Sequence, residues 1–511
     1  MYKRALLGLG FGVFVSQAIP AQAGDSASKS SIDRPAHTHR GQTETLRRRD
    51  SWVSTMRTDD LTDTLKSANS HSEDKKVHDP KVVSQGSDTG LSKYPIRIAV
   101  FGGSKGGSFS QERDLRLLGR EVAKAKLPLI TGGGNGMPHM AQKAAFEEGG
   151  YTVGFGQADS LSDHRTSGRP SDHLSVLYTT ATGRGPGTIE REAPLAEQAN
   201  VGVFAGGSIG TLGELMASLF KPGVLAFLKG SGGVADAATT KILPHLGPLP
   251  AHVRIVEESD PTKLLIAAMV ELDKVKGNTA FPTRLVKVGH REVFKDPIEL
   301  KKRANIVSYL VDGQGMSATD KSNLMRLTSR LSTEHIDGKF PVTVVPERAG
   351  ITQEVAALSV REGAQAFHIS HLGPRTVDKL AEGHVRVSMG KGEGVGESAT
   401  GREVTQDARV VVVAGGDYKT LSGLIYALHH DTIVAVLETG GMSGKLRSDI
   451  MPVIVDKGTK ARIIYGTDPD RLFESIKREL EPKPVPKYEP KPEKKSYSSE
   501  RDSDSDHKSW E

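Results

Sequence analysis

Residues 201–219 read VGVFAGGSIGTLGELMASL, and this stretch decides the fold. The apolar run 201–204 is typical of a buried strand, and the segment Leu212–Phe220 has the apolar spacing of a helix. Three glycines lie between them, and glycine allows the sharp turn that leads from a strand into a helix. A glycine-rich turn before a helix also binds phosphate groups in many α/β proteins. The stretch therefore predicts an α/β fold and raises the question of whether its turn holds a ligand.

Similar alternation surrounds this stretch on both sides. Short apolar runs typical of buried strands alternate with segments of helical spacing. The predicted strands are Ile96–Phe101, Leu127–Thr131, Tyr151–Phe155 and Val224–Phe227, and the predicted helices are Glu112–Ala125 and His139–Glu148. This alternation predicts a doubly wound parallel sheet with helices on both faces.

The pattern occurs twice along the chain. IVSYLVDGQGMS from Ile306 aligns with IAVFGGSKGGS from Ile98, VVPERAG from Val344 aligns with LITGGGNG, and VVVVAGGDYKTL from Val410 aligns with VGVFAGGSIGTL. Any two doubly wound domains look partly alike, but the shared Ala-Gly-Gly and Thr-Leu at one offset favour an internal duplication. We therefore expect two tandem Rossmann-like doubly wound parallel-sheet domains, residues 94–275 and 305–480, joined by a linker at 276–304.

The two ends of the chain differ from these domains. Lys3 and Arg4 precede a short apolar stretch and the small-residue site Ala21–Ala23, which is typical of a secretory signal peptide (residues 1–23) cleaved after Ala23. The alternative, a membrane anchor, is disfavoured because the apolar stretch is too short to span a bilayer. Residues 24–93 and the Pro/Lys/Glu-rich tail 481–511 have the composition of disordered segments. The sequence thus predicts a secreted or periplasmic protein.

The amino-acid composition argues against several classes of function. The 511 residues contain no cysteine, which excludes disulfide frameworks, thiolate nucleophiles and cysteine-ligated metals. The formal net charge is +6, and no dense basic block lies in the predicted domains, so the chain gives little support for nucleic-acid binding. Hydrophobic residues make up 36% of the chain, a low share that agrees with disordered ends.

Three glycine-bearing loops follow predicted strands of the first domain. Ligands of open parallel sheets bind at the carboxyl ends of the strands, where glycines let backbone amides approach an anion. The candidate phosphate-binding residues are Gly102, Gly103 and Ser104, then Gly132, Gly133, Gly134 and Gly136, then Gly207, Ser208, Gly210 and Thr211. A polar loop, 156–188, is either a cover for this site or an ordinary mobile loop.

Together, the segments VFGGSKGG, LGREVAK, LITGGGNGMPHMAQKAAFEEGGYTVGF and AGGSIGTLGEL resemble the LONELY GUY (LOG) or "lysine decarboxylase-like" Rossmann family of the SMF/DprA–LOG superfamily. The resemblance covers about residues 95–230, with a fainter second pass over 305–450. Members of this family hydrolyse cytokinin riboside 5′-monophosphates or related nucleotides to a free base and ribose 5-phosphate. They do so without a metal, so the resemblance implies neither a metal site nor a cofactor.

The resemblance also implies two catalytic residues. The family carries an Arg-Lys pair upstream of the motif PGGxGTxxE. Spacing places Arg191 at the family arginine, Glu192 at the lysine, and Glu214 at the last glutamate of the motif. Glu214 would stabilise an oxocarbenium-like state from the first turn of its helix, and Arg191 would hold the phosphate or position Glu214. Two ordinary alternatives stay open, a solvated helix residue for Glu214 and a surface ion pair for Arg191.

The second domain lacks these groups. Lys419 stands for Gly210, Gly423 stands for Glu214, and Asp417 would repel a phosphate. Its nearest arginine, Arg402, lies two residues too close to the loop, so we expect this copy to be inactive. Because LOG-type proteins form dimers with sites near the interface, the resemblance implies an intrachain pseudo-dimer or a homodimer.

The sequence leaves three functions open. The first is an exported enzyme that binds a nucleoside 5′-monophosphate and hydrolyses its N-glycosidic bond. The second is a non-catalytic protein that binds a nucleotide or another phosphorylated ligand. The third is an envelope scaffold or interaction protein whose active parts are the tails.

Overall fold

The structure, a computed structural model, describes residues 82–84, 90–105, 107–156, 166, 174–177, 188–275, 304–336, 339–370, 376–388, 397–454 and 459–481. The predicted signal peptide, the linker up to residue 303, the tail beyond residue 481 and most of the polar loop 156–188 lie outside these ranges. Both predicted domains belong to one compact unit of the chain.

The first domain contains an eight-stranded sheet in the order β1-β5-β4-β3-β2-β6-β7-β8. All of its strand pairs are parallel. The strands are β1 (Val82–Ser84), β2 (Ile98–Gly102), β3 (Leu129–Thr131), β4 (Thr152–Gly156), β5 (Leu174–Leu177), β6 (Val201–Ala205), β7 (Gly223–Leu228) and β8 (Val253–Glu258).

The second domain repeats this arrangement with the strand order β12-β13-β11-β10-β9-β14-β15-β16. Only the edge strand β12 runs antiparallel to its neighbour within this sheet. The strands are β9 (Ala304–Asp312), β10 (Phe340–Pro346), β11 (Gln365–Ser370), β12 (Thr376–Ala381), β13 (His384–Ser388), β14 (Val410–Gly415), β15 (Ile433–Leu437) and β16 (Arg462–Gly466). The predicted fold, two doubly wound parallel-sheet domains in tandem, is confirmed.

Five longer helices accompany each sheet. In the first domain they are α1 (Phe109–Lys124), α2 (Met137–Glu147), α3 (Thr188–Gln198), α4 (Ile209–Ser218) and α5 (Pro261–Leu272). In the second they are α6 (Ala318–Thr333), α7 (Ile351–Arg361), α8 (Glu397–Thr405), α9 (Tyr418–Leu428) and α10 (Pro469–Leu480). Among the helices of the described residues, none combines the length and the apolar character needed to cross a membrane.

Local sequence explains where these helices begin. Ser108 and Ser317 form capping boxes with Gln111 and Asp320 at the starts of α1 and α6. Asp260 and Asp468 cap α5 and α10, each before a proline at the first helical position. The same capping device thus occurs at matching places in both domains.

Strand register corrects two of the sequence alignments by one residue. Ile98 of β2 pairs with Val201, and Val307 of β9 pairs with Val410, so Ile98 corresponds to Val307 rather than to Ile306. Gly136 and Gly350 precede α2 and α7, which shifts the VVPERAG segment by one residue as well. The alignment of Val410 with Val201 agrees with the pairing of the next strands, because Val201 pairs with Val224 and Val410 pairs with Ile433 at the same offset. The sequence alone missed the shift because consecutive apolar residues of a buried strand look alike when they are moved by one place.

The two domains share one apolar core. Helices α3 and α4 of the first domain and α8 and α9 of the second contribute buried side chains to this single cluster. Helices α1, α2 and α5 cover the outer face of the first sheet, and α6, α7 and α10 cover that of the second. Within the described chain, the two domains therefore pack against each other through these four helices.

Two described elements lie inside the stretch 24–93, for which the sequence predicts disorder. Strand β1 pairs with β5 at the edge of the first sheet, and residues Leu91–Lys93 form a 3-10 turn. Leu91 is buried in the shared core with 1% of its surface exposed. Burial of this leucine removes apolar surface from water, which orders the chain before β2.

Candidate functional site

The three predicted glycine loops meet at the carboxyl edge of the first sheet. They follow the adjacent strands β3, β2 and β6. Gly102 lies so close to β6 that a Cβ atom there would be 2.3 Å from the carbonyl oxygen of Ala205. The Gly103 carbonyl accepts a hydrogen bond from the Met137 amide at 3.0 Å, which joins the first loop to the start of α2.

Gly136 is the residue at which these first two loops touch. Its φ is +114°, and a Cβ atom there would lie 2.4 Å from the Gly103 carbonyl oxygen and 2.6 Å from the carbonyl carbon of Ser104. Any side chain would therefore push the loops apart. Around Gly134, by contrast, no heavy atom of the described structure beyond its chain neighbours lies within 4 Å of a Cβ position, so this part of the loop borders open space.

The third loop, after β6, is held in place by residues 231–235. Gly207 has a φ of +94°, and a Cβ atom there would lie 2.1 Å from the Thr211 hydroxyl oxygen. The amide of Val234 donates to the Gly207 carbonyl at 3.0 Å, and the Gly206 amide donates to the Ser231 hydroxyl at 2.9 Å. The loop is thus a rigid turn that only glycine allows at position 207.

Helix α4 begins directly after this turn. Ser208 is its N-cap residue and makes no side-chain capping bond, so the first-turn amides of Ile209, Gly210 and Thr211 are not taken by a cap. The end of a helix carries a partial positive charge and amides that point outward. This end of α4 has the properties of an anion-binding site.

Glu214 lies in the second turn of α4, because the helix begins at Ile209 rather than at Leu212. The expected place in the first turn was therefore wrong. Only 5% of the Glu214 surface is exposed, which excludes the alternative of a solvated helix residue. The helix begins directly after Gly206 and Gly207, whose positive φ values turn the chain sharply out of β6, and Ser208 is its N-cap residue.

Arg191, in the first turns of α3, reaches under the glycine loops. Its guanidinium Nη1 donates to the Gly132 carbonyl and, at 3.3 Å, to the Phe155 carbonyl. These carbonyls lie at the carboxyl ends of β3 and β4. The alternative of a surface ion pair is thereby excluded, and Arg191 connects the second glycine loop to the acidic residues described next.

Glu192 is a functional candidate that the sequence did not single out. It is 2% exposed, and its Oε1 has no hydrogen-bond partner within the described part of the chain. A Cβ atom on Gly213 would lie 2.1 Å from Glu192 Oε2, and one on Gly210 would lie 3.2 Å from Oε1. The carboxyl group of Glu192 therefore occupies the space that two glycines leave on α4.

Electrostatics couple these three side chains. Burial raises the pKa of Glu214 to about 8, although the guanidinium of Arg191 opposes the rise. Burial, followed by the neighbouring charge of Glu214, raises the pKa of Glu192 well above its ordinary value. Two carboxyl groups that share a dry site do not both ionise easily, so the pair retains at least one proton at neutral pH. Such a pair can both donate and accept a proton.

The corresponding site of the second domain is occupied by its own residues. Asp417 caps α9, and its Oδ1 accepts from the amides of Lys419 at 2.9 Å and Thr420 at 3.1 Å. These amides correspond to the ones that α4 leaves uncapped. A carboxylate thus fills the place at which an anion would bind, which is a stronger obstacle than the repulsion that the sequence predicts.

The acidic pair is absent from the second domain as well. With Val201 aligned to Val410, as the strand register requires, Gly401 stands at the place of Glu192 and Gly423 at that of Glu214. A Cβ atom on Gly401 would lie 2.7 Å from the Gly423 Cα atom, so α8 and α9 approach where α3 and α4 hold the two carboxyl groups.

The arginine is missing from this copy too. Thr400 stands at the place of Arg191 in the same alignment. Arg402, the nearest arginine, instead pairs with its neighbour Glu403 at 2.6 Å. The second domain therefore keeps the fold without the groups that make the first a candidate site.

Within the described ranges, no group of three or more histidine, aspartate or glutamate side chains is arranged to hold a metal ion. The groups that the site offers to a ligand are backbone amides, one guanidinium and two carboxyl groups.

Comparisons with known proteins agree with the motifs in the first domain. Residues 95–247 match the model of the SLOG cluster4 family. No protein of curated function matches the chain.

Several solved structures resemble the chain over about the length of this domain. TM1055, a structural-genomics target, is 22% identical over 35% of this chain and 98% of its own, with a TM-score of 0.29. The molybdenum cofactor carrier protein of Chlamydomonas reinhardtii is 26% identical over 35% of this chain and 99% of its own, with a TM-score of 0.26. The molybdenum cofactor binding protein of the phototrophic bacterium Rippkaea orientalis is 20% identical over 34% and 97%, with a TM-score of 0.26.

The family match begins just before β2 and ends after residues 231–235, which hold the third glycine loop in place. It therefore includes all three loops, Arg191 and both glutamates. Residues 95–247 match the SLOG cluster4 family, in agreement with the resemblance of their motifs to the SMF/DprA–LOG superfamily.

Proposed function

We propose that the first domain binds a nucleoside 5′-monophosphate and hydrolyses its N-glycosidic bond to a free base and ribose 5-phosphate. The observation that carries this proposal is the meeting of Arg191 and the buried Glu214 beneath three glycine loops, next to the uncapped start of α4. The second domain, with the same fold, lacks the arginine, the glutamate and the uncapped helix start.

The phosphate is expected at the start of α4. Amides of the first helical turn and the dipole of the helix favour a dianion there, and the rigid turn at Gly207 keeps these donors in place. Open space borders Gly134, in the glycine loop after β3, and this is where the ribose and the base are expected. A nucleoside monophosphate supplies both the phosphate and the sugar that such a site accommodates.

Hydrolysis would pass through an oxocarbenium-like state of the ribose. An ionised Glu214 stabilises the positive charge that develops on the sugar and accepts a proton from the attacking water. Arg191, which is fixed by two strand-end carbonyls, holds the position and charge of Glu214. Both residues act from helices that the shared core keeps rigid.

Export of the protein is part of this proposal. The support for it is the segment from Met1 to Ala23, in which two basic residues, an apolar stretch and a small-residue cleavage site follow one another. Comparing the N-terminus of the protein recovered from the culture medium or periplasm with that of the full chain tests it. A mature chain that begins at Gly24 is the expected result, and a chain that stays in the cytoplasm with Met1 in place contradicts it.

The activity is tested by incubating the full-length protein with a panel of nucleoside 5′-monophosphates and measuring free base and ribose 5-phosphate. We expect release by the wild type and a loss of about 100-fold or more in Glu214→Gln. Glu271→Gln is the matched control, because Glu271 is also a buried glutamate but lies on α5, on the outer face of the sheet. Its activity should equal that of the wild type.

Thermal melting with each ligand separates the alternatives. Stabilisation by a nucleotide without release of base would support a binding protein rather than an enzyme. The molybdenum cofactor belongs in the same series, because the Chlamydomonas reinhardtii protein is described as its carrier. Stabilisation by that cofactor alone would replace the nucleotide in the proposal, and no response to any ligand would favour a scaffold.

A further inference from the structure

We propose that Glu192 is a second catalytic carboxyl group, which donates a proton to the leaving base while ionised Glu214 accepts a proton from the attacking water. This inference rests on the proposed hydrolysis and goes beyond it by naming the acid and the class of substrate that needs one. The substrate is a nucleotide whose base is a poor leaving group until it is protonated.

The first support is the position of Glu192. It lies beside Glu214 on the facing side of α3, only 2% of its surface is exposed, and its Oε1 has no hydrogen-bond partner within the described residues. An ionised carboxylate left without a partner in such a place is strongly destabilising. A neutral carboxyl group costs less and carries a proton that it can donate.

The second support is the shape of α4 opposite this side chain. Gly210 and Gly213 stand one turn apart on the helix and face the Glu192 carboxyl group. A Cβ atom at Gly213 would lie 2.1 Å from its Oε2, so alanine there would force the carboxyl group to move. Glycine in the middle of a helix is less favourable than alanine, and α4 accepts this cost at Gly213. The helix is therefore shaped to receive a carboxyl group from α3.

The third support is the joint loss of both glutamates from the second domain. Gly401 and Gly423 replace them, and the two helices close onto each other at that point. The pair of helices thus packs without any carboxyl group, which shows that the fold itself does not require one. The first domain has both Glu192 and Glu214, and the second domain has neither, as expected for two residues that act in one reaction.

Geometry indicates which carboxyl group carries the proton. Burial raises the pKa of both carboxyl groups, and the charge of Arg191 opposes the rise in both. Glu192 Oε1 is in addition buried without a hydrogen-bond partner within the described residues, so a negative charge is less compensated on Glu192 than on Glu214. As the pH approaches the pKa of Glu214, about 8, the pair therefore reaches the state with one proton. That state leaves the buried arginine balanced by a single negative charge. The ionised partner is then Glu214 and the protonated partner is Glu192.

The reaction balances with these two groups alone. The bond from ribose C1′ to the base nitrogen breaks, and its electron pair and the Glu192 proton go to the base. Water forms the new bond to C1′ and gives its proton to Glu214. The pair ends with the proton on Glu214 instead of Glu192, and exchange with solvent or between the two groups restores the starting state.

The test compares two substrates that differ in the leaving base. Adenosine 5′-monophosphate has a neutral base that needs protonation, whereas 7-methylguanosine 5′-monophosphate has a base that is already cationic and leaves as a neutral molecule. We expect Glu192→Gln to release adenine about 100-fold more slowly than the wild type, with less than about a threefold loss on the methylated substrate. Glu214→Gln should be slow on both.

Gly213→Ala provides a second, independent variant. It displaces the Glu192 carboxyl group without removing any charge, so it should show the same selective loss on adenosine 5′-monophosphate. Melting curves of both variants and of Glu271→Gln check that the fold is kept.

Each outcome bears on a different claim. Equal losses on both substrates in Glu192→Gln, or none on either, would overturn the role of Glu192 while leaving the hydrolase intact. A wild type that releases base from neither substrate would overturn the proposed function, and the role of Glu192 with it.

Discussion

Burial distinguishes Glu214 from an ordinary glutamate on a helix. Only 5% of its surface is exposed, and a second carboxyl group lies beside it. The ionised form of Glu214 therefore lacks most of the hydration that a carboxylate has in water. The guanidinium of Arg191 compensates for part of this loss, yet the pKa of Glu214 still rises to about 8. A group of this kind reduces stability once it ionises, which is a usual property of residues placed for chemistry.

Stability should therefore depend on pH through Glu214. In the unfolded chain the carboxyl group loses its proton near its ordinary pKa of 4.5, whereas the folded protein retains the proton up to a pKa of about 8. The folded state binds more protons between these values, so the free energy of unfolding falls as the pH rises across this window. We expect Glu214→Gln to gain on the order of 2 kcal/mol over the wild type at pH 8 relative to pH 4.5.

Denaturant unfolding of both proteins at a series of pH values measures this difference. Glu271→Gln, altered on the outer face of the same domain, should keep the steep dependence of the wild type. Parallel curves for Glu214→Gln and the wild type across the window would show that Glu214 is already ionised well below its raised pKa in the folded protein.

Sequence motifs predict single catalytic side chains better than they predict contacts between side chains on different helices. Arg191 and Glu214 could be picked out because each stands at a fixed distance from a glycine motif. Glu192 gave no such signal, because its role depends on the face of α3 that meets α4 and on the space left by Gly213. The closest hint was its place beside Arg191, where the resembled family has a lysine.

At the scale of elements, the starts of α4 and α9 show how one fold gives two different helix ends. Ser208 and Asp417 have similar extended backbones, with φ of −131° and −123°. Asp417 caps its helix with its own carboxylate, whereas Ser208 makes no side-chain capping bond. The difference between aspartate and serine at this one position therefore decides whether the first-turn amides are bound by a carboxylate of the protein, as in α9, or are left for a ligand, as in α4.

In Ser208→Asp, the new carboxylate should cap α4 in the way that Asp417 caps α9. The new carboxylate can accept hydrogen bonds from the first-turn amides and would repel a phosphate at the same place. We expect nucleotide affinity to fall by about 100-fold or more while the melting temperature of the free protein stays equal or rises. Calorimetric titration with a nucleoside monophosphate, together with melting curves, measures both quantities.

Ser208→Ala is the matched control for this exchange. It removes the hydroxyl group without adding charge, so it should keep most of the affinity. If the aspartate variant bound the nucleotide as well as the alanine variant does, the phosphate would have to bind somewhere other than the start of α4.

The central strands were predictable apart from their ends and registers. Apolar runs identified β2, β3, β4, β6 and β7 of the first sheet, because buried parallel strands are continuously apolar, whereas β1, β5 and β8 were not predicted. The start of α4 was placed three residues too late because Gly210 looks like part of a turn, whereas the structure uses it inside the helix. The discrepancy matters here, since it moves Glu214 from the first turn into the second.

At the scale of the whole molecule, the shared core makes the second domain a permanent neighbour of the site. The ring of Phe220, just after α4, contacts the ring of Tyr418, the first residue of α9, with centroids 5.2 Å apart. A Cβ atom on Gly213 would lie 3.6 Å from Ile425 Cγ2, so α4 and α9 run antiparallel. In both contacts, Phe220 with Tyr418 and Gly213 with Ile425, the two residue numbers have the same sum. This is expected for two antiparallel helices, and it fixes their register.

Internal symmetry then identifies a residue of the second domain that approaches the phosphate site. The alignment of Val201 with Val410 relates Phe220 to His429 and Ile209 to Tyr418. The contact between Phe220 and Tyr418 therefore predicts a symmetric counterpart between His429 and Ile209, and the antiparallel register predicts the same pair. Ile209 is the first residue of α4, so His429 is expected beside the bound phosphate.

Replacement of this histidine should consequently weaken binding in the other domain. A hydrogen bond to a charged group is worth about 1.5–3 kcal/mol, so we expect His429→Ala to lower nucleotide affinity by about tenfold or more. Tyr418→Ala, at the opposite end of the same helix, should lower the melting temperature through lost packing while leaving the affinity of the folded protein unchanged. Calorimetric titration of both variants distinguishes a contact with the ligand from a contribution to packing. Unchanged affinity in His429→Ala would limit the second domain to supporting the first, with no group of its own in the site.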